Sequence, residues 1–528
     1  MRGEDTKRGC TILIIGLPIC GLVSTGVGGL LLVLLLFLLM LIGCSAPPAT
    51  VGVILYPSDQ SSVPSGEVIV EIQAYRRGWA TLKFDSGWSS SKSKPERIVL
   101  KVDDTPVFTW QKGDNADWYD RLSVPILLDE GDHTLALEVV ADGRVARDTV
   151  QVTAVEKGAS PWHTIPLPDE LSEEMRFIVD AEGRLWRIEA PQSTRTRVLA
   201  ADVVEGKQSS PVDGTGVITA IEGATAHFFL LETGTLYRLV LETPLPDEAV
   251  VGTLYLRETD ESELFWQPYT HADRWNGHAW QSTDVALPPF PRFARGVGPT
   301  VWEMNTPQDV WVLSERSGYA AQWDGANWRI VAPPAPTAKS IRARIALHEG
   351  RFWVWDGSGW RAAAPLPDAA SPHAFDFIFA DQVLLCGDAL FFASPAYEWE
   401  PEPDAFLDAV RIFQWDGGAW TWHDVQIARF PHGRLACVGG TPWLLSSPRA
   451  PRDAMQSNPP QVRTRFGGRF LGPESNLRLE KGRVWMWDGA AWREAVQPPF
   501  LPFFDERLPG NGLGFIIQTP PRLTFAAP

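Results

Sequence analysis

The sequence predicts an all-β protein: an amino-terminal membrane anchor, a two-sheet β-sandwich and a β-propeller of about seven blades. Three observations predict it. A six-residue unit with Trp at both ends and Asp-Gly or Asn-Gly after the first Trp occurs five times, short alternating segments fill residues 50–156, and no charged side chain stands between Thr11 and Gly43. The chain has 528 residues, of which 45% are apolar, enough for several domains with real cores. Lys and Arg number 47 against 64 Asp and Glu, a net charge of -17, which disfavours nucleic acid as a partner because phosphate binding depends on basic side chains. Trp is the compositional outlier at 24 residues against 8 Tyr.

Residues 1–44 form the anchor. Arg2, Lys7 and Arg8 precede an apolar run whose second half, Leu30 to Ile42, has the length of a signal-peptide core. As a helix the whole uncharged run would span about 50 Å, more than the roughly 30 Å a bilayer core requires. Leu41-Ile42-Gly43-Cys44-Ser45 resembles the bacterial lipobox, and the resemblance implies a lipidated Cys44. An uncleaved membrane helix is the alternative. Both place the rest of the chain outside the cytoplasm, since the positive residues precede the run. The resemblance extends to lipoproteins of an outer membrane or cell surface. Of five Cys, Cys10, Cys20 and Cys44 belong to this region; Cys386 and Cys437 remain, as a disulfide or as two buried thiols.

After the linker at 45–49, residues 50–156 alternate with period two, as in Glu67 to Ala74 and Thr149 to Thr153, which predicts one core face and one wet face for each strand. The turn Asp129-Glu130-Gly131-Asp132 and the strand after it resemble the penultimate hairpin of bacterial immunoglobulin-like domains. That resemblance implies a spacer or adhesive module. The acidic loop with Asp114, Asp117, Trp118, Tyr119 and Asp120 reads as solvated turn residues.

Residues 160–528 carry the repeat: Trp275 to Trp280, Trp323 to Trp328, Trp355 to Trp360, Trp415 to Trp420 and Trp487 to Trp492. Asp-Gly and Asn-Gly suit the positive φ of tight turns, so each unit is predicted to be a hairpin tip with one Trp on each arm. Further strands lie upstream, and four strands per unit make a propeller blade. Counting Trp186 and Tyr237 as degenerate copies beside Trp275, Trp323, Trp355, Trp415 and Trp487 gives seven blades, with six or eight as alternatives. The tail Gly514 to Gln518 is expected to close the ring. Asp309 to Leu313 followed by Ala321 to Trp328 resembles the repeat of secreted bacterial propellers common in myxobacteria, and also the tectonin repeat of lectin propellers. The resemblance implies architecture more than activity. The sialidase turn has a residue between Asp and Gly; here Asp324 and Gly325 are adjacent.

No nucleophile elbow, His-Glu-x-x-His, phosphate loop or Cys-x-x-Cys is present, so no catalytic residue, cofactor or metal is assigned; His271, Asp273 and His278 read as turn-proximal polar residues. The repeated Trp read as core between blades, because packing repeats while a binding site usually breaks repetition. Two unrepeated connections stand out: an acidic one with Glu398, Glu400, Glu402 and Asp404, and a basic one with Arg449, Arg452, Arg463, Arg465, Arg469 and Arg478. Long insertions on a rigid scaffold are where function usually resides. The expected function is therefore that of a membrane-anchored binding or scaffold protein recognising an envelope protein or glycan through that loop face. A propeller glycosidase or lyase, with charged groups at the channel, and a structural envelope component are the alternatives.

Overall fold

The computed structural model describes residues 49–77, 81–83, 87–89, 92–112, 121–167, 175–189, 192–207, 212–257, 262–289, 300–314, 317–367, 382–395, 409–426, 433–446, 483–500, 511–518 and 521–528. Cys44 and the apolar run lie outside these residues, as do the acidic loop of 113–120 and both unrepeated connections, 396–408 and 447–482. Every regular element among the described residues is a β-strand, apart from a 3-10 turn at Lys157–Ala159. No helix among them is long and apolar enough to cross a membrane.

The sandwich consists of two sheets. One contains Ala49–Tyr56, Gly66–Arg77 and Arg121–Leu128; the other runs Ser61–Pro64, Arg144–Val155, Gly131–Ala141, Arg97–Val102, Thr105–Gln111. Alternation puts Val68, Val70 and Ile72 against Ile98, Leu100, Leu135 and Val150 in one core. The expected wet face is present on Arg144–Val155, where Thr149, Gln151 and Thr153 are exposed. It is absent on Gly66–Arg77: Ile69, Glu71 and Gln73 are buried as well. The reason is tertiary, because Ile69 packs with Trp162, Trp443, Phe500 and Phe515 of the propeller and its amide donates to the Pro499 carbonyl at 2.8 Å. Gln497 N donates to Ser62 O at 2.7 Å and Tyr56 donates its hydroxyl to Pro498 O. A separate small unit contains the antiparallel hairpin Thr81–Lys83 with Gly87–Ser89.

Six sheets form the propeller among the described residues. Blade 1 is Met175–Val179, Leu185–Glu189, Thr270–Trp275 and Trp280–Leu287; blade 2 is Thr300–Thr306, Asp309–Ser314, Ala320–Trp323 and Trp328–Val331. Blade 3 is Lys339–Arg342, Ile345–His348, Arg351–Trp355 and Trp360–Ala362; blade 4 is Val383–Cys386, Ala389–Pro395, Ala409–Trp415 and Trp420–Gln426. Blade 5 is Gly433–Val438, Thr441–Ser446, Arg483–Trp487 and Trp492–Glu494. Blade 6 has three strands, Gly514–Gln518, Pro521–Ala526 and, from the other end of the ring, Trp162–Pro166. Apolar clusters link each sheet to the next all the way round. Met304 and Trp186 share one cluster, Leu313 and Trp355 another, Phe352 and Phe392 a third, Leu384 and Leu435 a fourth; Trp443 and Phe515 bridge blades 5 and 6, and Phe525 and Phe177 close the ring between 6 and 1.

Among the described residues the blades number six, the lower of the two alternatives to seven. Trp186 and Trp275 lie in the same sheet, blade 1, and Tyr237 lies in neither. Between the second and third strands of blade 1 the chain builds a closed six-stranded antiparallel barrel: Thr194–Glu205, Thr235–Leu241, Thr225–Leu230, Val212–Glu222, Ala249–Leu256 and Glu263–Pro268, in order around the wall. Ile218, Phe228, Tyr237, Leu239, Leu254 and Leu264 fill it. A barrel nested in a blade alternates with period two just as a further blade would, so spacing alone merges the two.

The repeated unit folds as the hairpin joining third and fourth strands. Trp pairs directly with Trp across each tip, from Trp275 with Trp280 to Trp487 with Trp492, and the ring centroids lie 5.3 to 6.4 Å apart. The Gly after each Asp or Asn has φ between 95° and 103°, a conformation that a Cβ would strain. Oδ1 of Asn276, Asp324, Asp356 and Asp488 accepts the amides two and three residues on at 2.8 to 3.0 Å. The indoles then reach backwards: Trp323 donates to Ala286 O at 3.2 Å, Trp360 to Ala332 O and Trp420 to Ala364 O, both at 2.7 Å. The Arg after the second Trp reaches forwards. Arg329 lies 5.2 Å over Trp355 and donates to Gly357 O at 2.7 Å, and Arg361 lies 5.4 Å over Trp415. At the next junction Thr421 occupies that position and the ring of His423 stands 4.6 Å from Trp487. A disulfide between Cys386 and Cys437, with Cα atoms 5.5 Å apart, joins the inner strands of the same two blades.

Two outcomes follow from these contacts. The bridge spans 51 positions, so loop-closure entropy gives it about 4 kcal/mol, and Cys386→Ala/Cys437→Ala should lower the unfolding free energy in urea by about that amount. The turn amides hold the carboxyls of Asp356 and Asp488 down to about 2, against about 3.9 in the unfolded chain. Their contribution is complete above pH 4 and is lost as pH falls through 2. Asn accepts the same two bonds at position 276 without titrating, so Asp356→Asn/Asp488→Asn should flatten the dependence of melting temperature on pH between 4 and 2.

Candidate functional site

The inner strands of the blades converge on polar side chains that a propeller enzyme would use. Glu303 in blade 2 and Arg342 in blade 3 are 5% and 7% exposed, so neither charge is solvated and each needs partners within the protein. Arg342 Nε donates to Glu303 Oε1 at 3.1 Å, Nη1 to Val383 O of blade 4 at 3.0 Å and Nη2 to Asn511 Oδ1 at 3.1 Å. The other carboxylate oxygen of Glu303 accepts the Ala343 amide at 3.1 Å. Asn511 Nδ2 donates to Asn305, whose own Nδ2 reaches Asp309 at 2.7 Å; Asp309 also accepts from the Trp311 indole and from Gln322.

The main chain at Asn511 completes the junction. Its amide donates to Met304 O of blade 2 at 3.2 Å, its carbonyl accepts Cys437 N of blade 5 at 2.9 Å, and Gly512 N donates to Val179 O of blade 1 at 3.0 Å. Gly is required at 512 because a Cβ would lie 2.3 Å from Asp180 O. Arg342, Asn511 and Gly512 together touch blades 1 to 5, and Gly512 stands two residues before the first strand of blade 6. Beside them a cavity of about 10 Å³, lined by Glu303, Asn305, Arg342, Arg344, Ile345 and Asn511, has room for about one water. Asp180, in the blade 1 turn, is fully enclosed, and burial raises its carboxyl pKa even though it accepts from Trp186 Nε1 at 2.9 Å and Arg184 Nε at 2.7 Å. These groups are spent on one another and tie the blades together at the ring's centre.

The residues singled out from the sequence are placed as follows. Cys386 and Cys437 come together in the disulfide. Cys44, Glu398, Glu400, Glu402, Asp404, Arg449, Arg452, Arg463, Arg465, Arg469 and Arg478 lie outside the described residues. Arg483, where the basic connection ends, donates to Glu494 at 2.9 Å. Asp273 pairs with Arg187, and among the described residues no group of three or more His, Cys, Asp or Glu is arranged to hold a metal ion. The sequence marks the axial cluster only faintly. Its one local signal is a charge in an inner strand, Glu303 within Thr300–Thr306 and Arg342 within Lys339–Arg342; nothing local marks Asn511.

No family model matches the chain, and no curated protein matches it. Among solved structures, an endo-β-1,4-mannanase from Thermotoga petrophila is 14% identical over 20% of each chain, with a TM-score of 0.15; the chain thus spans about a fifth of that enzyme's length. A quinonprotein alcohol dehydrogenase-like protein from Bacteroides thetaiotaomicron is 9% identical over 71% of this chain and 96% of its own, with a TM-score of 0.13. The WD40 domain of SCAP from fission yeast is 9% identical over 90% and 98%, with a TM-score of 0.16. At such scores the fold is read from the strand pairing alone.

Removing one partner of the buried pair should reveal its role. Arg342→Met strands the Glu303 carboxylate and is expected to cost about 3–5 kcal/mol in urea unfolding. Adding Glu303→Leu should recover more than half of that loss.

Proposed function

We propose that the chain is an extracytoplasmic binding or scaffold protein, held at a bacterial membrane by its amino terminus, whose propeller presents one face to an envelope protein or glycan. The observation that carries this reading is the distribution of connections between second and third strands. Blade 1 inserts a whole barrel there, and blades 4 and 5 insert 396–408 and 447–482, while blades 2 and 3 turn within a few residues. In antiparallel blades all these connections leave by the same face. A rigid ring that elaborates one face unequally suits recognition, since binding residues concentrate on loops held by a scaffold. The tie between Arg342 and Glu303 favours binding over a glycosidase or lyase, and the disulfide favours an oxidising compartment.

Within this reading Cys44 carries the lipid, the sandwich is an immunoglobulin-like module and the ring belongs with the Trp-Asp-Gly propellers. Packing of Ile69 and Tyr56 against the segment 496–500 argues for a sandwich that fixes the ring's orientation rather than a loose spacer. The test is to replace 448–481 by a short Gly-Ser linker in the soluble fragment. Binding on a glycan array, or capture of an envelope protein by the parent, should be lost in the variant while its melting temperature is kept. Unchanged binding would sink the assignment of that face.

A further inference from the structure

The chain contains two Asn-Gly dipeptides, Asn276-Gly277 and Asn511-Gly512, and the fold treats them in opposite ways. Before Gly, the side-chain amide of Asn is open to attack by the next main-chain nitrogen, because no Cβ obstructs the approach. We propose that Asn276 is a spontaneous modification site, converted to aspartate in the folded protein, and that the ring protects Asn511 from the same reaction.

Asn276 is exposed at the tip of the blade 1 hairpin, and a Cβ on Gly277 would meet nothing within 4 Å. Its Oδ1 accepts the amides of His278 and Ala279, each at 2.9 Å. When Gly277 N bonds to the Asn276 Cγ, negative charge develops on that oxygen, and two donors already aimed at it stabilise the charge as an oxyanion hole does. The bond from nitrogen to Cγ forms and the amide proton passes to solvent. The bond from Cγ to Nδ2 breaks, and Nδ2 takes up a proton and leaves as ammonia. Solvent water then opens the cyclic imide: attack at Cγ breaks its bond to nitrogen and gives aspartate with the main chain intact, and attack at the main-chain carbonyl gives isoaspartate. No oxidant or reductant is involved. Aspartate stands at the matching position of the other four hairpins, Asp324, Asp356, Asp416 and Asp488, where it accepts the same kind of turn amide. The aspartate product therefore fits the turn, and it adds a fifth carboxylate to the face from which these hairpins leave.

At Asn511 each reacting atom is already engaged. The side chain is enclosed, Oδ1 accepts from Arg342, Nδ2 donates to Asn305, and the nitrogen that would attack, Gly512 N, donates to Val179 O. Reaction there requires the axis to open first.

The full chain is incubated at mildly alkaline pH, folded and in parallel in denaturant, then digested so that the peptides carrying the two sites are followed by mass spectrometry. Asn276 should convert in the folded chain at least as fast as in the unfolded one, and Asn511 about tenfold slower or more. Slower conversion of Asn276 on folding, or equal rates at Asn511, would overturn the proposal. An Asn276→Asp variant should melt at the parent's temperature at neutral pH. A marked drop would show that the product does not fit the turn, and would overturn the proposal as well.

Discussion

The ring depends on what occupies its axis. Sheets brought together edge-inward leave a channel between their inner strands, and this one is filled by a guanidinium and an amide that satisfy one another. Arg342 is enclosed with its donors placed on Glu303, Val383 and Asn511. Asn511 supplies main-chain and side-chain groups to blades 2, 3 and 5, and the amide of Gly512 beside it reaches blade 1. A buried charge without such partners would be costly, so the blades can approach only in the arrangement that completes the set. A single geometry thus fixes the ring at its centre, while apolar clusters between sheets supply the burial around it.

Away from the axis, the Trp hairpins perform a complementary task. Each unit pairs two indoles across a turn; the units of blades 2, 3 and 4 send an N–H back towards the preceding blade, and those of blades 2 and 3 send an Arg forward to the following Trp. The junction between blades 4 and 5 has Thr421 where that Arg would stand, and it is also the junction closed by the Cys386 to Cys437 bridge. Outer clasp and inner bridge are alternative ways to hold neighbouring sheets. The Trp excess is thereby accounted for largely by cohesion.

How much of this was legible in the chain depended on the range of the interaction. The hairpin tips were, because Asp356-Gly357 and its relatives encode a turn within six residues and the flanking Trp mark its arms. The sandwich strands were as well, through alternation. The nested barrel was not: Tyr237 sits in a β-pattern like any other, and only pairing shows that Leu185–Glu189 continues to Thr270–Trp275 across the whole barrel. Nor was the buried outer face of Gly66–Arg77, since that face reads as solvent-facing until Ile69 packs with the propeller; Glu71 and Gln73 on it are buried too.

By itself, then, the sequence determined what is local: strand period, turn chemistry, the Trp pairing across each tip and the candidate cysteines. The tertiary structure decided what depends on closure. The number of blades was settled only when Trp162–Pro166 joined Pro521–Ala526 from the far end of the chain, and the axial cluster only when Arg342 met Asn511 across 169 positions. Local rules carry no information about such distances, because a ring must be closed before its axis exists.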